Sequence, residues 1–84
     1  MNLGLVLLHR GDRGGAEREF RRALLLNPGL VKAAAQLGHI LFQSGRYAEA
    51  AHFYDGCVRL GREDLRVNLR EARTRATVSG TPLR

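Results

Sequence analysis

The chain has 84 residues, of which 44% are hydrophobic and 26% charged, and a formal net charge of +6. That length allows one domain with a thin core, and no apolar stretch approaches the ~20 residues needed to span a bilayer. The single cysteine, Cys57, excludes an internal disulfide and a cysteine-built metal cluster. It reads as a small buried side chain. Thirteen of the fourteen basic residues are arginine, Lys32 being the exception. The surplus charge favours acidic partners and attracts nucleic acid weakly.

Along the chain the pattern is helical. The apolar run Leu3-Gly4-Leu5-Val6-Leu7-Leu8 has no basic segment before it and no small-residue cleavage site after it, so it does not read as a signal peptide. The default expectation is a cytoplasmic protein. The run begins a helix reaching to about Arg10, broken at Gly11-Asp12. A second helix extends to Leu26 and stops at Asn27-Pro28-Gly29, because Pro28 cannot continue it. Gly14-Gly15 weakens the start of that second helix. A third helix, from about Val31 to Gln43, carries Ala34, Leu37, Gly38 and Leu41 on one face. Gly45 is the natural left-handed stop. A fourth runs from about Tyr47 to Leu60, with Ala50, Tyr54, Cys57 and Val58 inward, and Gly61 ends it. A last helix, residues 63–76, places Glu63 and Asp64 in its first turn and an apolar stripe on Leu65, Leu69, Ala72 and Ala76. Residues 77–84 contain Gly80 and Pro82 and read as a loose tail.

Shifted by 34 residues, the sequence matches itself. Leu3 falls on Leu37, Gly4 on Gly38, Leu7 on Leu41, Gly11 on Gly45, Ala16 on Ala50 and Phe20 on Tyr54. Glycine inside a helix costs about 1 kcal/mol against alanine. Gly4 and Gly38 therefore mark places where a neighbouring backbone comes close, with Phe20 and Tyr54 filling the space between adjacent hairpins.

The order Leu3-Gly4, Leu7, Gly11, Ala16, Phe20, Ala23 and Pro28, repeated as Leu37-Gly38, Leu41, Gly45, Ala50, Tyr54 and Cys57, resembles the tetratricopeptide repeat over residues 1–62. Ala34 and Arg62 depart from the pattern, where the family usually has a large residue and a proline. The resemblance implies an all-α fold, an α-solenoid of antiparallel helical hairpins. Its domain covers residues 1–76, with units at about 1–30 and 31–64, a capping helix at 63–76 and a tail at 77–84. By alignment with Val31-Lys32-Ala33-Ala34, the first unit lacks about four residues. Its apolar first helix then suits either a fragment of a longer repeat protein or a self-associating unit.

The resemblance also implies a concave groove lined by the first helix of each unit. Its candidates are Asn2, Leu5, Leu8 and His9, then Lys32, Ala35, Gln36, His39, Phe42 and Gln43, with Arg66, Arg70 and Arg73 added by the capping helix. One subfamily clamps a peptide's C-terminal carboxylate there. Arg66 and Arg70 resemble its basic residues in placement, and Gln36 stands where it has asparagine. Met1 and Leu5 depart from it, so any such clamp is partial.

No catalytic, cofactor or metal site emerges. His9, His39 and His52 have no second histidine three or four residues away, and Ser44 and Ser79 lie in no nucleophile motif. The expected function is a non-catalytic protein-interaction module for a protein or peptide, favouring an acidic one. A self-associating structural unit, or homo-oligomer, is the alternative. Nonspecific nucleic-acid binding by the basic face comes third, without stacking aromatics or a recognised motif.

Overall fold

The computed structural model describes residues 3–80, with side chains to residue 78. Five α-helices follow in order: α1 (Leu3–His9), α2 (Arg13–Leu26), α3 (Val31–Gln43), α4 (Tyr47–Arg59) and α5 (Arg66–Gly80), the last entered through a 3-10 turn at Glu63–Leu65. No strand occurs among the described residues. Each helix packs on the next, giving the hairpins α1–α2 and α3–α4, closed by α5.

The corners repeat as the sequence does. Gly11, Gly45 and Gly61 all take positive φ, at 84°, 82° and 105°. After α3, the Arg46 N–H donates to Leu41 O at 2.9 Å and the Gly45 N–H to Phe42 O at 3.1 Å. The same pair of bonds closes α1, from Asp12 to Leu7 and Gly11 to Leu8, and α4, from Arg62 to Cys57 and Gly61 to Val58. These bonds satisfy carbonyls that a helix end leaves open, and they need a left-handed residue between them. The turn after α2 differs: Asn27 Oδ1 accepts from the Gly29 N–H at 3.1 Å.

Gly14-Gly15 does not undo the start of α2. Asp12 caps it, its side chain accepting from the Gly15 N–H at 2.8 Å. A Cβ on Gly15 would stand 2.5 Å from that carboxylate, so the glycine is part of the cap. The first residues of the stretch read as a tail are helical. Thr77–Gly80 continue α5, with Thr77 Oγ1 donating to Arg73 O at 3.0 Å. Residues 81–84 lie outside the described range.

The core centres on α3, which buries Ala33, Ala34, Ala35, Leu37, Gly38, Ile40 and Leu41. Ala16, Phe20, Ala50, Tyr54 and Cys57 face it from α2 and α4, and Leu65, Leu69 and Ala72 from the cap. A ring of ion pairs ties α2 to the start of α4: Glu17 and Glu49 each engage both Arg21 and Arg46, at 2.8–3.3 Å. These groups are largely exposed, so solvent screens the pairs and each contributes little on its own.

Gly4 and Gly38 make room for rings, not for a neighbouring backbone. A Cβ at Gly4 would lie 2.7 Å from the Phe20 ring, and one at Gly38 would lie 2.8 Å from the Tyr54 ring. Each aromatic thus closes its own hairpin. Gly38→Ala gains up to ~1 kcal/mol of helix propensity but overpacks a core site, a cost of about 1–3 kcal/mol. Urea denaturation is expected to show net destabilisation, larger than for Gly4→Ala because Tyr54 is also held at its hydroxyl. In the Gly38→Ala/Tyr54→Leu pair the two effects are expected to be less than additive.

Candidate functional site

Two hollows follow the first helices. The larger, about 540 Å³, has apolar walls from Leu3, Leu5, Phe20, Leu30 and Ala33, with Lys32, Gln36, His39, Arg62 and Glu19 supplying polar groups. The smaller, about 180 Å³, lies between α3 and α5 and is lined by His39, Phe42, Gln43, Tyr54, Asn68 and Glu71. His39 lines both and joins them into one groove.

The structure thus brings Leu5, Lys32, Ala35, Gln36, His39, Phe42 and Gln43 to this groove. Ala35 is buried in its wall. Leu8 packs against the core, and His9 is exposed at the end of α1 outside both hollows. Asn2 lies outside the described residues.

The three cap arginines do not line either hollow. Arg66 pairs with Glu63 at 2.6 Å, Arg73 with Asp55 of α4 at 3.5 Å, and Arg70 is exposed. The cap offers Asn68 and Glu71 in their place. The cause is a slip of register. The second helices begin at Arg13 and Tyr47, 34 residues apart, whereas α3 begins at Val31 and α5 at Arg66, 35 apart. The 3-10 turn holds the extra residue. With a shift of 35, Ala33 and Gln36 beside Phe20 map onto Asn68 and Glu71 beside Tyr54. Arg73 then takes the place of Gly38. Reading the whole chain at 34 hid this.

At the centre of the groove, His39 Nδ1 lies 2.7 Å from Tyr54 Oη, with the rings 5.4 Å apart and tilted by 60°. Asn68 of α5 lines the same hollow as this pair. Burial holds His39 below the usual histidine range, and the nearby Arg62 charge adds to this. Burial also pushes Tyr54 up, with Asn68 acting against it. Toward the far end, Phe42 meets Tyr47 edge-on at 5.0 Å. Arg75 lies over both rings, at 5.3 and 5.8 Å, and pairs with Glu71 at 2.7 Å.

On the opposite side, a hollow of about 360 Å³ is lined by Leu24, Pro28, Ala34, Phe53, Gly56 and Leu60. Ala34, small where the repeat usually has a large side chain, faces this space. Among the described residues no group of His, Cys, Asp and Glu could hold a metal ion. No described helix is long and apolar enough to cross a membrane.

The depressed His39 pKa sets a direction for stability. An unfolded histidine titrates near 6.5, and folded His39 binds its proton less readily. Its contribution is therefore fully present above about pH 6.5 and is lost as pH falls below it. Melting temperature is expected to drop between about pH 7 and 5, and the drop is expected to flatten in His39→Gln. Glu49 and Asp64, held low by Arg46 and Arg62, act only at or below the ordinary carboxylate range, near pH 4. A variant keeping the full slope would remove His39 as its source.

The tetratricopeptide repeat family model matches residues 7–73. No curated protein matches the chain. The match begins within α1 and ends within α5, so it covers the end of α1, all of α2, α3 and α4, and about half of α5. With the repeated corners, the ring-on-glycine hairpins and this match agreeing, the chain belongs to the tetratricopeptide repeat family.

Proposed function

We propose that the chain is a non-catalytic binding module that holds a peptide or protein segment in the groove along α1, α3 and α5. Tetratricopeptide repeats generally mediate protein–protein interaction. The observation that carries the reading here is the hollow of about 540 Å³, apolar on its walls and edged by Lys32, Gln36 and His39. Such a mix suits an extended chain, whose apolar side chains seek the walls while its backbone needs hydrogen-bond partners. Lys32 and Arg62 favour acidic side chains, although Arg62 is already forked onto Asp64 by two 2.9 Å bonds. Lys32 has no ion pair among the described residues.

The test is a titration with a short peptide alternating glutamate and leucine, followed by amide chemical shifts. Perturbations are expected at Leu5, Lys32, Gln36 and His39. Lys32→Ala is expected to weaken binding by about 2- to 5-fold, less so at high salt. Shifts confined to the opposite face, or none, would remove the groove assignment.

A second reading, association of two copies, rests on Leu25 and Leu26. They stand 84% and 83% exposed at the end of α2, beside the hollow lined by Leu24, Pro28 and Phe53. Exposed apolar side chains grouped beside a cavity mark contact surfaces. Sedimentation equilibrium is expected to show concentration-dependent pairing that Leu25→Glu/Leu26→Glu abolishes. A wild-type chain that stays monomeric at high micromolar concentration excludes this reading.

A further inference from the structure

From Glu17 onward, the side chains that α2 leaves exposed are Arg18, Arg22, Leu25 and Leu26. Spacings of four and three residues put them on one stripe of the helix, about 12 Å long at the α-helical rise. The two leucines are 84% and 83% exposed. Arg18 and Arg22 make no hydrogen bond or ion pair among the described residues. No acidic side chain stands on the stripe. Of the two carboxylates on α2, Glu17 is held by Arg21 and Arg46, and Glu19 borders the larger groove hollow. The turn that follows, Asn27-Pro28-Gly29, is exposed and adds no charge.

We propose that this stripe docks the protein on an anionic lipid surface. Arg18 and Arg22 meet the headgroup phosphates, which a guanidinium fork matches in shape and charge. Leu25 and Leu26, one to two turns further on, dip into the boundary between headgroups and acyl chains. The same leucines carry the self-association reading above, but the arginines beside them do not serve it. Two copies facing each other through this stripe bring unpaired cations together with no acid to offset them. A nucleic acid engages the arginines and leaves the leucines without a role, because bases stack on aromatic side chains. A protein partner buries leucines by matching their shape, yet neither leucine lines any of the three hollows. Lipid requires no such match, only apolar groups that project beside free cations. Docking of this kind lies on a membrane and does not cross it. It also leaves the groove open, because none of the four residues lines the hollows along the first helices.

The test is co-sedimentation of the intact chain with large vesicles of phosphatidylcholine, alone or with about one-third phosphatidylserine. Binding is expected on the anionic vesicles, at least about 10-fold weaker on the neutral ones, and weakened by salt. Arg18→Gln/Arg22→Gln is expected to cost about 10- to 30-fold. Arg66→Gln/Arg70→Gln removes the same charge from the cap and is expected to cost less than about 3-fold. Leu25→Ser/Leu26→Ser leaves the charge unchanged and is expected to weaken binding at least about 10-fold. All of these side chains are exposed, so the fold tolerates the changes.

The chain has no tryptophan, so Leu26→Trp is a lone reporter of insertion. Its emission is expected to shift to the blue on anionic vesicles and to stay unshifted with duplex DNA. No binding to anionic vesicles overturns the proposal. So does binding that the cap pair weakens as much as the stripe pair, which is attraction by net charge alone. Binding without a blue shift, or unaffected by the serine pair, shows that the leucines stay outside the lipid and overturns it too. A blue shift that grows with protein concentration in the absence of vesicles assigns the leucines to a second copy instead. The groove reading is independent of every one of these outcomes.

Discussion

The ring of Tyr54 occupies the space that Gly38 leaves by having no side chain, and the second hairpin is organised around that contact. A Cβ at Gly38 would stand 2.8 Å from the ring, so it is the glycine that lets the ring lie close against the α3 backbone. Closeness has two consequences. It buries Leu37, Ile40 and Leu41 on one side of α3, and it brings the Tyr54 hydroxyl to within 2.7 Å of His39 on the groove side. The packing contact and the polar contact are made by one side chain. The first hairpin repeats the packing half with Gly4 and Phe20, but phenylalanine has no hydroxyl, and Leu5 stands where His39 would be. One hairpin is therefore purely apolar at this point, and the other carries the groove's polar centre.

Much of this was legible in the sequence because a repeat encodes its corners and contacts twice. Gly11 with Gly45, Ala16 with Ala50 and Phe20 with Tyr54 each report a shared environment, and the bounds read for the first four helices followed within a residue or so, whereas the last helix runs four residues further than its stripe suggested. What the pattern could not give was the identity of the neighbour. A glycine at a buried helix position says that something comes close. Whether that is a backbone or a ring depends on the rotamer of a residue sixteen positions away. Nor could composition show that Asp12 turns Gly14-Gly15 from a weak start into a capped one, since the cap is a single 2.8 Å bond whose value lies in geometry. The His39–Tyr54–Asn68 arrangement was equally hidden, because it joins three helices that periodicity treats separately.

The cap shows how one residue of register decides which side chains reach a site. Its buried stripe, Leu65, Leu69 and Ala72, was plain from spacing. A stripe has two flanks, and they are alike to a periodicity argument. Carrying the 34-residue period forward selects the flank of Arg66, Arg70 and Arg73; the 3-10 turn at Glu63–Leu65 selects the flank of Asn68 and Glu71. The slip also puts Arg73 where α3 has Gly38. A guanidinium there leaves no room for a ring to close onto α5, so α5 does not offer the surface on which the two earlier hairpins are built.

Charge behaves differently in the folded protein from what a net value of +6 suggests. Of the eight acidic residues, Glu17, Glu49, Asp55, Glu63, Asp64 and Glu71 are engaged in ion pairs, Asp12 caps α2, and Glu19 borders the larger hollow. Among the described residues, Arg10, Arg13, Arg18, Arg22, Arg70 and Lys32 make no ion pair. Four of those arginines lie between the end of α1 and the third turn of α2, and only Lys32 borders a hollow. The surplus is thus spread along the outside of the first hairpin rather than focused in the groove. Charge placed that way raises the rate at which an acidic partner arrives, in a manner that salt suppresses. It contributes little to how tightly such a partner is held. On the proposed groove reading, retention would fall to the apolar walls, to Lys32 and to the polar groups of Gln36 and His39, so shape and backbone hydrogen bonding would govern affinity there more than net charge.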